Sequence, residues 1–291
     1  MRSHDNLQRF VFERAPIRGE IVRLDATYRA VLDRRDYPAP VRNVLGEFMA
    51  AAALLTDTLK FDGRLIMQIQ GDGPITLLVV ECTSGRAMRA LAQWDGEVAA
   101  GPLADMVGGG RLAITIDPDS GCERYQGIVN LEGHTVAGAI EHYFAQSEQL
   151  ATRLWLAADP HQAAGMLLQR LPDADAPDTD AWDRAVHLGS TITRAELLAL
   201  PVRDILHRLY HEEDIRLFAR TPVSFRCSCS RERVEAVLRM LGHAEIQGIV
   251  SEQGAVRVDC EFCGGRYEFD PVDAEQLFAA TVAAPGPSTR Q

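Results

Sequence analysis

A chain of 291 residues with 46% hydrophobic and 24% charged content is long enough for one large domain and a small one, and it is not the composition of a disordered or fibrous protein. A formal net charge of −11 argues against a nucleic-acid partner, which needs concentrated basic surface. There is no basic-then-apolar leader, and the most apolar stretch, 48–55, is too short to span a bilayer. A cytoplasmic protein with no membrane partner is therefore expected, in a compartment that keeps thiols reduced.

Along the chain, apolar residues at Val41, Val44, Leu45, Phe48 and Met49 predict a helix over 40–59. Two β-rich runs, 64–69 and 75–80, flank Gly71-Asp72-Gly73-Pro74 and predict a hairpin. Strand patterns recur at 88–94, 112–116 and 125–131. A helix is predicted over 134–147, with further strands at 153–156 and 166–171. Several hairpins with few helices, in irregular order, favour an α+β fold over a doubly wound parallel sheet.

Four aspartates and two prolines between Leu171 and Asp180 mark an exposed boundary loop. Short charged helices follow at 182–188, 194–200 and 202–211. Their narrow apolar stripe, Val202, Ile205, Leu206 and Leu209 in the last of them, requires a larger surface to dock on. The expected organisation is a core domain over 1–172, a helical, metastable linker over 173–224, a small four-cysteine module over 225–280 and a disordered tail over 281–291.

The module holds Cys227-Ser228-Cys229 and Cys260-Glu261-Phe262-Cys263, with 30 residues between the pairs (260 − 229 − 1 = 30). Two such pairs can supply the four sulfurs of one tetrahedral Zn2+, with Cys227, Cys229, Cys260 and Cys263 as ligands and no open position for catalysis. Ser230 caps a predicted helix over 231–241, and strands at 255–259 and 266–269 flank the second pair. The spacing fits a purely structural metal site. The Cys-x-Cys pair and the neighbouring Arg226, Arg231, Arg233 and Arg266 also fit an oxidant-sensitive one, because cations keep sulfurs anionic. Cys82 reads as a buried thiol in a strand, and Cys122 carries no assigned role.

Cys227-Ser-Cys229-Ser-Arg231-Glu-Arg233 with Cys260-x-x-Cys263-Gly264 resembles the zinc module of the redox-regulated 33-kDa heat-shock chaperone family. The likeness continues in Gln70-Gly71-Asp72-Gly73-Pro74, Tyr125-Gln126-Gly127-Ile128-Val129, Leu131-Glu132-Gly133, Ser147-Glu148-Gln149-Leu150 and Arg208-Leu209-Tyr210-His211-Glu212-Glu213. It covers residues from Asp5 to about Phe278.

The resemblance implies an ATP-independent holdase that is inactive and monomeric when reduced and bound to one Zn2+. Oxidation would form the disulfides Cys227–Cys229 and Cys260–Cys263, release zinc, unfold the linker, and yield a homodimer that holds unfolded or aggregation-prone clients. The Cys260/Cys263 pair would respond first. A tie across some thirty residues is worth roughly 4 kcal/mol of loop entropy and one across three residues about half that, so local disulfides would not replace the long-range link.

Other readings have less support. A zinc-ribbon nucleic-acid binder is opposed by the charge. No catalytic or cofactor-binding residues are assigned, and no enzyme is expected. Gly108-Gly109-Gly110 lacks a following Gly-Lys-Ser/Thr, and His207 and His211 lack the intervening glutamate of a metalloprotease helix.

Overall fold

The structure, a computed structural model, describes residues 5–58, 61–119, 123–131, 133–172 and 180–279. Cys122, Glu132, most of the boundary loop (173–179) and the C-terminal tail lie outside the described residues. The chain divides after Arg226 into two compact units.

The first unit is organised around one helix. Two strands, β1 (Asn6–Phe12) and β2 (Ile17–Leu24), lead through a short helix, α1 (Ala26–Leu32), into α2 (Ala39–Thr58). The expected stripe of α2 is buried, and so is the small-residue run Ala50 to Ala53, so the helix is apolar nearly all round. Such a helix belongs in an interior, and the alanines let strands approach it closely.

Two antiparallel layers enclose it. The hairpin read from the sequence appears as β3 (Gly63–Gln70) and β4 (Ile75–Thr83), followed by β5 (Ala87–Trp94). After the short helix α3 (Leu103–Val107) come β6 (Arg111–Pro118) and β7 (Tyr125–Asn130). With the two-residue strand β11 (Ser224–Phe225), they form a sheet in the order β11-β5-β4-β3-β6-β7, antiparallel except for the β11–β5 pair.

The predicted helix at 134–147 is shorter than expected. α4 (Val136–Tyr143) begins where Thr135 Oγ1 accepts the Gly138 N–H at 3.1 Å, then loosens into a π-helical turn, Phe144–Glu148. β8 (Thr152–Ala158) and β9 (Ala163–Arg170) complete the second sheet, ordered β10-β1-β2-β9-β8 and antiparallel throughout.

The remaining strand of that sheet, β10 (Ile215–Pro222), comes from the segment expected as linker. Before it lie α5 (Ala181–Gly189), α6 (Arg194–Ala199) and α7 (Val202–Tyr210). The stripe of α7 is buried with Leu197 and Leu198 against Phe10, Ile21 and Met166, so these helices use the outer face of a sheet as their core. Polar ties reinforce them. Arg194 reaches Glu47 on α2 at 3.0 Å, and Arg23 on β2 donates to Leu197 O at 3.3 Å.

The second unit comprises α8 (Arg231–Leu241), α9 (His243–Gln253), the hairpin β12 (Val256–Asp259) with β13 (Arg266–Phe269), and α10 (Pro271–Ala279). Its core is six buried side chains, Leu238, Ile246, Val256, Phe269, Ala274 and Leu277. That is thin support for a module of this size, which usually needs a staple besides its core.

Candidate metal centre

The two cysteine pairs enter from different local structures. Cys227 and Cys229 precede α8, whose N-cap Ser230 accepts the Arg233 N–H at 3.3 Å, while Arg233 donates to Ser228 O at 2.7 Å. The capped helix end thus fixes the loop carrying the first pair. Cys260 and Cys263 sit on the turn between β12 and β13. Gly264 N–H returns to Cys260 O at 2.7 Å, and Cys260 N–H donates to Gly265 O at 2.9 Å. Gly264 has φ +67°, a conformation glycine adopts without strain. A Cβ on Gly265 would lie 3.2 Å from Cys263 Sγ, a close approach that a side chain there would have to displace.

These constraints bring Cys227, Cys229, Cys260 and Cys263 together, all four Sγ atoms lying within 4.8 Å of one another. Cys227 Sγ is 3.7 Å from Cys260 Sγ, and Cys229 Sγ is 3.3 Å from Cys263 Sγ. Around a tetrahedral ion with metal–sulfur bonds of about 2.3 Å, neighbouring sulfurs lie about 3.8 Å apart. The donor set therefore fits a metal of that geometry. It is the one such cluster of cysteine, histidine or carboxylate ligands among the described residues.

The electrostatics point the same way. Burial raises the Cys260 thiol above its ordinary range, opposed by backbone hydrogen bonds around the turn. Burial also pushes Cys263 up to about 12, and the neighbouring thiols of Cys229, Cys227 and Cys260 add to the shift. Four sulfurs this close resist joint ionisation unless a cation compensates them.

Tyr267 on β13 was not legible as part of this site. Its hydroxyl donates to Cys229 Sγ at 3.1 Å, and that bond holds the phenol up at about 12. Of the expected arginines, Arg231, Arg233 and Arg266 have other partners. Arg231 binds Glu268 O and Asp273 and lies over the Phe269 ring, and Arg266 pairs with Asp259. Cys82 is buried on β4, where burial raises its thiol to about 11 and makes it a poor nucleophile. His207 and His211 are exposed.

An α+β chain whose C-terminal unit gathers four sulfurs in a cluster compatible with a metal defines a class that the comparisons make specific. The Hsp33 protein family matches residues 5–270, and the chain belongs to that family. It is 53% identical over 290 residues to a 33 kDa chaperonin of Nitrosococcus oceani, covering 100% of both chains. A 33 kDa chaperonin of Methylobacillus flagellatus is 48% identical over 292 residues, again with 100% of both covered. The crystal structure of the 33 kDa chaperonin of Thermotoga maritima shares the fold, with a TM-score of 0.82 over 97% of this chain and 100% of that one, at 23% identity. Among the described residues, no helix is long and apolar enough to cross a membrane.

Proposed function

We propose that the chain is a cytoplasmic, redox-regulated, ATP-independent holdase with one Zn2+ held by Cys227, Cys229, Cys260 and Cys263 in its resting state. The observation that carries this reading is the convergence of two cysteine pairs, separated by 30 residues, on one cluster. Membership of a family whose curated relatives are named chaperonins supports the chaperone role.

Bound there, Zn2+ would keep all four sulfurs anionic and link the start of α8 to the β12–β13 turn. The chain's own sulfurs carry the switch. A thiolate of one pair attacks peroxide, the O–O bond breaks, and hydroxide leaves to give a sulfenic acid. The second sulfur of the pair, as a thiolate, attacks that sulfur, and the hydroxyl takes a proton from solvent and leaves as water as the disulfide closes. Each pair surrenders two electrons to one peroxide. Cys260–Cys263 and Cys227–Cys229 then each close a small loop, and neither ties the two pairs together.

Loss of that tie removes the main support of a unit whose packed core is six apolar side chains. In this reading 225–280 is the switch and 173–224 the metastable linker, whose helices α5 to α7 depend on a borrowed sheet face for their core. The linker's release exposes apolar surface, the chain dimerises, and unfolded clients bind.

Replacing both Cys260 and Cys263 by serine tests the assignment. The double variant is expected to suppress aggregation of a thermally unfolding client equally with and without peroxide. A variant that still switches like the wild type would remove the second pair from the mechanism.

A further inference from the structure

β7 is the outer strand of its sheet. Among the described residues it pairs with β6 alone. The register determines which backbone groups face outward. Leu131 donates its N–H to Gly110 O at 2.8 Å, directly across the two strands. Hydrogen-bonded pairs alternate along an antiparallel ladder, so they recur at Val129–Leu112, Gly127–Ile114 and Tyr125–Ile116. Gln126, Ile128 and Asn130 occupy the intervening positions, and their N–H and C=O groups point to the free edge.

Edge strands are ordinarily protected by lysine, proline, a bulge or a covering element. Tyr-Gln-Gly-Ile-Val-Asn contains no charge and no proline, and it pairs with β6 without a bulge. Ile128 is 56% exposed and Tyr125 46% exposed, on alternate faces. The strand is also held in place from behind. A Cβ on Gly127 would lie 2.4 Å from the Tyr143 hydroxyl, so β7 lies directly against the end of α4.

We propose that this edge is a docking site at which an extended, apolar segment of an unfolded polypeptide adds as a further strand. The inference rests on the chaperone reading above and gives it a binding surface. Outward amides and carbonyls at strand spacing complement another extended backbone, whatever its sequence. Ile128 and Tyr125 favour apolar neighbours on the two faces of the added strand. Size argues against a second copy of this chain as the occupant. The edge offers six residues, whereas a stable protein interface uses roughly 20–30 a side.

Residue-resolved amide exchange on the peroxide-activated full chain tests this, with and without reduced, carboxymethylated α-lactalbumin as a permanently unfolded probe. Exchange at Gln126, Ile128 and Asn130 is expected to slow by roughly tenfold or more on adding the probe, with Gly127 and Val129, already bonded to β6, little changed. Equal slowing at all five, or none, overturns the proposal. Protection already present in the activated chain without probe assigns the edge to a second copy and overturns it too.

Ile128→Pro removes one outward donor and no bond to β6, and should weaken probe capture about tenfold, while Ile128→Val should not. Because the exchange pattern is read on the wild type, the test stands even if the proline variant folds poorly. Wild-type failure to hold any unfolded client would overturn the chaperone reading along with this one. Client capture with an unaltered edge would overturn this one alone.

Discussion

The two units solve the same physical problem with different means. The first surrounds α2 with two sheets and buries a continuous apolar core around Leu45, Phe48, Met49 and Leu54. The second has a packed cluster of six buried apolar side chains and a four-sulfur cluster. Stability in the first is spread over many contacts, so no single chemical event removes it. In the second, on the zinc-bound reading proposed above, it is concentrated in four oxidisable atoms. A unit built in that way is suited to being switched, and one built like the first is suited to remaining folded while the switch operates.

The largest expected effect concerns the second unit. Chelation, or Cys260→Ser, should unfold α8 to α10 and the β12–β13 hairpin, because structural zinc couples about 10–16 kcal/mol of apparent binding energy to folding. Amide exchange should show protection lost after residue 226 and kept in α2. Simultaneous collapse of α2 would erase the contrast between the units.

The converse perturbation is Phe48→Ala, which removes a fully buried ring, leaves a cavity in its place and should cost the first unit about 3–5 kcal/mol. Zinc affinity, measured by competition with a chromophoric chelator, should be unchanged. A parallel loss of zinc affinity would mean that the units do not fold independently.

A smaller effect lies at Glu20 on β2. Its side chain is fully buried, and among the described residues neither carboxylate oxygen has a hydrogen-bond partner. Burial first, and then the Asp57 carboxylate, hold its pKa well above the ordinary carboxylate value, against the opposing pull of Arg18, Arg9 and Arg86. Its folded-state pKa is raised, so its favourable contribution is complete below the unfolded value and is lost as pH rises through the folded one. Glu20→Gln should remove that loss. The stability difference in favour of the variant should grow with pH by at most about 1.4 kcal/mol per unit and vanish in acid. Thermal unfolding across pH 4–8 would show it, and a pH-independent difference would contradict the assignment.

Much of this arrangement was legible because it was local. The period of Val41 to Met49, the Gly-Asp-Gly-Pro turn between β3 and β4, and Ser230 ahead of α8 each specify an element within a few residues. The cysteine pairs were legible because metal chemistry restricts their spacing. β1 and β2 were not, because they lie between two cores. Leu7, Val22 and Leu24 face the α2 side, and Phe10, Phe12 and Ile21 face α5 to α7, which removes the apolar–polar alternation of a half-exposed strand.

α9 was obscured by Gly248 and a weak apolar stripe, and α10 by the brevity of the segment after Pro271, a favourable first helical residue that marks its start. Tyr267 entered the site through β12–β13 pairing and the approach of the loop ahead of α8 that carries Cys229, a tertiary fact with no signal in spacing. β10 is tertiary in the same sense, since its partner β1 lies some two hundred residues away in the chain.

The central claim is that loss of the zinc tie, brought about in the wild-type chain by oxidation of the cluster, converts the resting chain into one that holds unfolded clients. The most direct measurement follows zinc release with a chromophoric chelator and light scattering from a thermally unfolding client in one sample, as peroxide is added to the reduced chain at raised temperature. The account predicts that zinc release and suppression of scattering rise together and that both are reversed by reductant and added zinc. Zinc retained while suppression appears, or released with scattering unchanged, would contradict it.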